Sequence, residues 1–373
     1  MILFFVNNRA SEKYFSILKE HLLSEKESAE VFRDSLFRWP DLHALREMPL
    51  NLIKEKINIE VAKARRLKTI YFWLLFVKSC WLYLCDVRTI KQKSPSSVVV
   101  WNGLMLRRAL FVMAAQRFDI KTIFIENGLL PETTVVDGQG INFKNSVPRS
   151  VSFYKEYQEK IPTELPKKLV PRAAKTQKTV SGRPLPDRYV FVPFQVDTDS
   201  QILLFSPWIT SMEHLFNVIM SIGRTDANVK FVFKEHPSSP VDYRYLHSEI
   251  DPEVGFFANE YSTQELIEKS DAVITINSTV GIESLLLNKK VICLGDAFYN
   301  IEGITLKAES ASELKHIISS IDNIDLDREI VCNFLRYLKG EYLVKGSWRS
   351  PSPEHLDHMM SRILQIKRST DVS

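Results

Sequence analysis

Four short segments hold most of the side chains in this chain that could do chemistry. They are FIENGLLP at 124–131, PFQVDTDSQ at 193–201, FKEHPSS at 233–239 and INSTVGIES at 276–284. Each begins at or near the end of a strand-like apolar run. In an α/β domain, residues at the C-terminal ends of strands face the ligand crevice. The chain thus offers carboxylates from two segments, then a His-Pro turn, then hydroxyls at a helix start. That set suits moving a group off an activated phosphate: a carboxylate can attack or take a proton, while cations and hydroxyls hold the phosphate.

Each segment carries a plainer reading beside the chemical one. Glu126 stands before Asn127 and Gly128 at a strand end. Gly128 is expected to turn the chain with φ > 0 and bring a ligand near the backbone. Glu126 is then a general acid/base or, equally, an exposed turn glutamate. The following stretch, with Asp137, Gly138, Gly140, Asn142, Asn145 and Arg149, is long and polar for a connection and reads as a binding loop. The second segment sets out Gln195, Asp197, Asp199, Ser200 and Gln201. Its Asp-Thr-Asp looks like a metal-binding pair, but a divalent ion needs further oxygen ligands, and no metal is expected. Asp199 reads as a nucleophile or as a helix N-cap. His236, aimed by Pro237 and accompanied by Lys234, reads as a phosphate contact or as a structural histidine. Asn277, Ser278 and Thr279 precede a helix with Gly281 and Glu283. They offer an anion site, with Glu283 able to accept from a ribose, and Ser278 or Thr279 also reads as a simple cap.

These side chains need strands and helices to position them. The first half predicts strands at 2–6, near 29–32, at 97–101 and at 122–125, with helices at 10–23 and 104–117 and a long helical region over about 50–84. The second half predicts strands at 189–193, 229–234, 272–276 and 290–294, with helices at 207–222, 263–269, 280–287, 313–318 and about 353–366. Ser262 with Glu265, and Ser310 with Glu313, read as capping boxes. Strands alternating with helices imply parallel sheets covered on both faces. Between 161 and 188 five prolines, with Lys167, Lys168, Arg172, Lys175 and Lys178 among them, break the pattern, which marks a linker or a mobile basic crossing.

The expected fold is therefore α/β and GT-B-like, two Rossmann-like domains with parallel sheets facing across a cleft. This resembles the GT-B architecture of many glycosyltransferases, which implies an acceptor-side domain over 1–165, a linker over 166–187, a nucleotide-sugar domain over 188–345, and a C-terminal helix over 346–373 that crosses back to the first domain. No GxGxxG follows the first strand and no GxxxxGK[ST] occurs, which disfavours dinucleotide and P-loop readings.

With 45% hydrophobic and 25% charged residues, the composition is that of an ordinary globular protein. A net charge of +4 favours an anionic partner weakly and is too small for a dedicated nucleic-acid binder, so no nucleic acid is expected. Cys80, Cys85, Cys293 and Cys332 form no CxxC pair and read as reduced thiols of a cytoplasmic protein. The N-terminus reads as a first strand, not a signal peptide. The apolar stretch 69–85 is interrupted by Lys78 and falls short of the ~20 residues of a spanning helix. It follows the basic run KARRLK at 63–68 and reads as a buried helix or as an aromatic face on an anionic bilayer at the inner membrane.

Taken together, the four segments resemble the bacterial β-Kdo transferases of capsule and O-antigen synthesis, within the wider capsule polysaccharide biosynthesis family. An E-(D/N)-G turn is matched by Glu126, Asn127 and Gly128; a Q-V-x-x-D segment by Gln195, Val196 and Asp199; a K-x-H-P turn by Lys234, His236 and Pro237; a hydroxyl-rich helix start by Ser278 and Thr279. The His-Pro turn and the hydroxyl pair are similar to those of bacterial sialyltransferases as well. The likeness covers roughly 124–149 and 189–287, and departs from many capsule enzymes at Asn127 and at Leu129-Leu130-Pro131. It implies retaining transfer of Kdo from CMP-β-Kdo to a lipid-linked or polymeric glycan, without a cofactor. Asp199 would be the nucleophile and Glu126 the acid/base. His236, Lys234, Ser278 and Thr279 would hold the donor's charged groups and Glu283 its ribose, with Gln195 and Asn277 also on the donor side and Asn127, Asn142 and Arg149 on the acceptor side. An inverting CMP-sialic-acid-type transferase and a non-catalytic capsule-assembly glycan-binding protein remain the alternatives.

Overall fold

The computed structural model describes residues 1–64, 66–166, 169, 183–225 and 229–369. Most of the expected linker, including Lys167, Lys168, Arg172, Lys175 and Lys178, lies outside the described residues. The chain forms two units: Met1–Ser146 with Tyr342–Ser373, and Val147–Glu341.

Unit 1 begins with β1 (Ile2–Val6), α1 (Arg9–Ser24) and β2 (Ala29–Arg33), continues through α2 (Leu50–Ala62) and α3 (Lys68–Lys93), and then runs β3 (Ser97–Trp101), α4 (Leu106–Gln116), β4 (Lys121–Asn127) and β5 (Thr133–Asp137). β2, β1, β3 and β4 are parallel neighbours in that order. Every residue of β1, ILFFV, is buried, as expected of a central parallel strand covered on both faces. The long helical region comprises two helices, α2 and α3. The strand at β4 extends two residues past its expected end and pairs antiparallel with β5. That hairpin replaces the expected glycine turn. A Cβ on Gly128 would lie 2.1 Å from the Thr133 carbonyl oxygen, so glycine is needed there for close packing, and its φ is not left-handed. The expected binding loop is tied down by buried Asp137, which accepts from the backbone N–H groups of Gln139, Gly140 and Ser146 and from the Ser146 and Tyr342 hydroxyls.

Unit 1 is also fastened by an ion cluster. Asp86 of α3, fully buried, accepts from Arg107 of α4 at 2.7 and 2.8 Å and lies 2.9 Å from Arg38. Arg107 also donates to Asp34 at 2.6 and 2.7 Å. Two carboxylates thus balance two guanidinium groups, the arrangement a buried charge requires.

Unit 2 contains α5 (Val151–Glu156), β6 (Tyr189–Pro193), α6 (Ser200–Phe205), α7 (Met212–Gly223), β7 (Lys230–Lys234), α8 (Arg244–Glu249), β8 (Gly255–Phe257), α9 (Thr263–Lys269), β9 (Ala272–Thr275), α10 (Val280–Leu286), β10 (Lys290–Cys293), β11 (Leu306–Lys307), α11 (Ala311–Ser319) and α12 (Arg328–Tyr337). Its sheet order is β8-β7-β6-β9-β10-β11, and every pairing is parallel. Counted within the unit this is the Rossmann order 3-2-1-4-5-6, with its topological switch point between β6 and β9. Both capping serines act: Ser262 accepts from the Glu265 N–H and Ser310 from the Glu313 N–H.

The boundary falls at 146/147 rather than 165. The reason is aromatic packing: Phe153, Tyr154 and Tyr157 of the segment around α5 meet Phe334 and Tyr337 of α12 edge-on. After α12 the chain returns to unit 1 as β12 (Val344–Lys345), antiparallel to β5, and α13 (Pro353–Arg368). His355 secures α13: its Nδ1–H donates to the Lys345 carbonyl at 2.8 Å, so its Nε2 accepts from the Tyr14 hydroxyl at 2.7 Å.

Candidate active site

The switch point of unit 2 is built from the segments that leave β6 and β9. Gln195, just past β6, accepts at Oε1 from the Ile276 and Asn277 N–H groups, both at 3.2 Å, and donates from Nε2 to Asn277 Oδ1 at 3.1 Å. Asn277, just past β9, donates from Nδ2 to the carbonyls of Gln201 and Phe205 at 2.9 and 3.0 Å. These buried amides brace the two loops against each other, because a buried polar group must find a partner. Gln201 donates to the Asn277 carbonyl at 3.3 Å, while its own Oε1 is buried with no hydrogen-bond partner among the described residues.

The two aspartates of the second segment differ. Asp197 accepts from the Met212 N–H at 2.7 Å through one oxygen and from the Tyr243 hydroxyl at 2.8 Å through the other. It fixes α7 and α8 to the loop. Asp199 is exposed and caps α6, with Oδ1 accepting from the Gln201 N–H at 2.8 Å and the Ser200 hydroxyl at 3.2 Å. Its Oδ2 has no hydrogen-bond partner among the described residues. The cap holds the carboxylate still and leaves one oxygen for chemistry. Among the described residues no group of three or more His, Cys, Asp or Glu is placed to hold a metal ion.

At the end of β7, next to β6 in the sheet, Lys234 donates to the carbonyls of Asn259 and Tyr261 at 2.8 and 2.7 Å. Burial lowers its pKa, opposed by Glu260 and Glu235. Its ammonium therefore holds the loop after β8. His236 is half-buried, and its Nδ1 accepts from the Ser238 N–H at 3.1 Å. The proton of the neutral ring then sits on Nε2, a donor suited to an anion. Past β9, the Ser278 hydroxyl accepts from the Val280 N–H at 3.2 Å, and its carbonyl accepts from Tyr299. Thr279 is the N-cap residue of the seven-residue α10 without a side-chain cap bond. Glu283 lies one turn in, half-buried. A Cβ on Gly281 would come within 2.5 Å of the Tyr299 hydroxyl oxygen, so glycine lets that ring pack against α10.

In unit 1 the switch point lies between β1 and β3, in the partial order 2-1-3-4. Glu126, on the adjacent β4, accepts from Asn102 Nδ2 at 2.7 Å and from the backbone and side-chain N–H of Asn127, both at 2.9 Å. Trp348 donates to Asn127 Oδ1 at 2.8 Å. Arg108 donates to Asn7 Oδ1 at 3.2 Å; burial lowers its pKa and the Glu126 carboxylate opposes the shift. Asn7, Asn102, Arg108 and Trp348 were not singled out from sequence. Asn7 and Asn102 follow strand ends, so the strand-end rule applied to the other segments finds them; nothing local marks Trp348. Asn142 is half-buried with φ 56 in the loop closed by Asp137. Arg149, expected with the N-terminal domain, belongs to unit 2, its guanidinium 5.6 Å from the Phe298 ring centre.

The fold and sites define a protein of two Rossmann-like α/β units, each with polar side chains gathered at its switch point. The family model described as "Capsule polysaccharide biosynthesis protein" matches residues 171–323. Protein FixF of Sinorhizobium fredii is 34% identical over 307 residues, covering 81% of this chain and 74% of that protein. The capsule polysaccharide export protein KpsS of Escherichia coli is 33% identical over 129 residues, 32% of this chain and 33% of that protein. Among solved structures, the beta Kdo 2,7 transferase KpsC of Thermosulfurimonas dismutans has a TM-score of 0.48 at 13% identity, covering 98% of this chain and 99% of that one. The chain belongs to the capsule polysaccharide biosynthesis family.

Proposed function

We propose that this protein is a glycosyltransferase that moves Kdo from CMP-β-Kdo to a lipid-linked or polymeric glycan in the cytoplasm, in capsule or O-antigen synthesis, with retention. The observation that carries this reading is the switch point of unit 2. There one carboxylate oxygen of Asp199 has no hydrogen-bond partner among the described residues, and the neighbouring strand ends present His236 and the Ser278-Thr279 pair. The family model spans all of these residues. The resemblance of the four segments to β-Kdo transferases supplies the donor.

In the first step Asp199 Oδ2 attacks the anomeric carbon. The bond from that carbon to the phosphate oxygen breaks, and CMP leaves with the bonding pair. His236 and the hydroxyls of Ser278 and Thr279 stabilise the departing phosphate. In the second step an acceptor hydroxyl attacks the same carbon, Glu126 takes its proton, and the ester bond to Asp199 breaks to restore the carboxylate. Asn102 and the Asn127 backbone hold Glu126 for that transfer. Gln195, Asn277 and Lys234 position the loops. The cap formed by Asp199 also favours a second reading, an inverting CMP-sialic-acid-type transferase in which Asp199 is structural and Glu126 is the single base.

Selective thermal stabilisation by CMP or CDP over UDP and GDP tests the donor class. Equal shifts with all four would remove it. His236→Ala and Ser278→Ala are each expected to weaken CMP binding by about tenfold or more, the value of a hydrogen bond to a charged group. They should lower stability by about 1 kcal/mol or less. Calorimetry showing unchanged CMP affinity in both would contradict the assignment. Turnover is expected to persist in EDTA, because both oxygens of Asp197 are already engaged. Full loss restored by Mg²⁺ or Mn²⁺ would revive the metal reading of Asp-Thr-Asp.

A further inference from the structure

The large apolar side chains left exposed are concentrated in one part of unit 1. Of twenty among the described residues, fourteen lie between positions 36 and 81. The N-terminal half of α3 carries an ordered share of them. Ile70, Trp73, Leu74, Val77 and Trp81 recur at three- and four-residue spacing, hence on one face of the helix, and with Lys78 they line an open hollow. Trp73, Leu74 and Val77 are 57, 66 and 68% exposed. The other side of the same turns is covered: Phe72, Leu75 and Phe76 are half-buried and Ser79 is buried. From Leu82 to Val87 every side chain is buried. α3 is thus a core helix in its second half and a bare apolar one in its first. Its length and composition would let it cross a membrane. The ion cluster at Asp86 instead fixes its second half inside unit 1, so only the bare face can meet lipid.

Charge selects the occupant. Residues 61–85 contain no Asp or Glu and five basic residues: Lys63, Arg65, Arg66, Lys68 and Lys78. Arg66, Lys68 and Lys78 are exposed, with no carboxylate partner among the described residues. A second copy docked through this face by two-fold symmetry would set like charges against each other. Anionic headgroups are the complement, and tryptophan, tyrosine and basic side chains are the residues that settle at a bilayer interface. We propose that this face of α3, rimmed by Arg66, Lys68 and Lys78, seats the protein on an anionic bilayer with Trp73 and Trp81 at the headgroup–acyl boundary. The surface stands apart from the transferase reading and does not depend on it.

The test is co-sedimentation of the full chain with phosphatidylcholine vesicles, with and without about 30% phosphatidylglycerol, at low salt. Binding is expected to be about tenfold or more tighter to the anionic vesicles. Trp73→Ser with Trp81→Ser should lower it by about tenfold or more, and Lys68→Glu with Lys78→Glu should remove the anionic preference. Brominated acyl chains should quench the tryptophan fluorescence of the unsubstituted protein. Equal binding to both vesicles, unchanged binding by both variants, or a solution dimer that these substitutions dissociate would overturn the proposal.

Discussion

Glu126→Gln incubated with freshly made CMP-Kdo is expected to accumulate as protein heavier by one Kdo residue, with the adduct on Asp199. Attack by Asp199 needs no proton from Glu126, so the first step proceeds. The second step lacks the base that takes the acceptor's proton and slows. Asp199→Ala should show no adduct and should lose about a thousandfold or more of turnover, because the covalent route is closed. The loss would not reflect unfolding: removing the cap from α6 costs about 1 kcal/mol. Intact-mass spectrometry and peptide mapping check both variants. Near-normal turnover in Asp199→Ala would return that residue to the role of a cap and leave Glu126 as the single base of an inverting enzyme.

Asp86→Ala is expected to be the most destabilising single change in unit 1, at about 3–5 kcal/mol, the cost of breaking a buried ion pair from one side. Arg107 would keep Asp34 but lose both bonds to Asp86, and Arg38 would lose its nearest carboxylate. The same cluster holds the core half of α3 against α4. Two units need not unfold together, so a single whole-chain midpoint is not enough. Tryptophan fluorescence in urea reports mostly on unit 1, because five of the six tryptophans lie there and only Trp208 lies in unit 2. A loss under about 1 kcal/mol would show that the cluster is a surface-like pairing without weight in the fold.

Much of this architecture was legible because parallel strands buried on both faces read as apolar runs. Ile2–Val6, Ser97–Trp101 and Tyr189–Pro193 fall where the sequence predicts them. Thr263–Lys269 did too, since Ser262 and Glu265 announce a helix start in local chemistry. What escaped was set by distant partners. β5 is short and half polar, and it exists because β4 and β12 pair with it. Gly128 was expected to turn the chain, but Thr133 makes it a packing glycine. α7 was expected from 207 and begins at Met212, because Ser211 and Asp197 cap that point and the chain before it forms α6.

The candidate site divides along the same line. The strand-end rule found Glu126, Asp199, His236 and Ser278. It could not tell Asp197, whose oxygens meet Met212 and Tyr243, from Asp199, one of whose oxygens has no hydrogen-bond partner among the described residues. Nor could it tell that Gln195 and Asn277 bond each other, since 82 residues separate them. Arg149 was assigned by its neighbours in sequence, whereas the stacking of α5 on α12 carries it into unit 2.

The stereochemistry of the transfer reaction separates double displacement through Asp199 from the inverting and non-catalytic readings. The purified full chain is incubated with CMP-β-Kdo and a glycan acceptor from its own capsule or O-antigen repeat, and the anomeric configuration of the product is read by NMR. The expected result is release of CMP and a β-linked Kdo, the configuration of the donor retained. An α-linked product would contradict double displacement through Asp199. Glycan binding with no CMP-Kdo turnover would contradict the transferase assignment altogether.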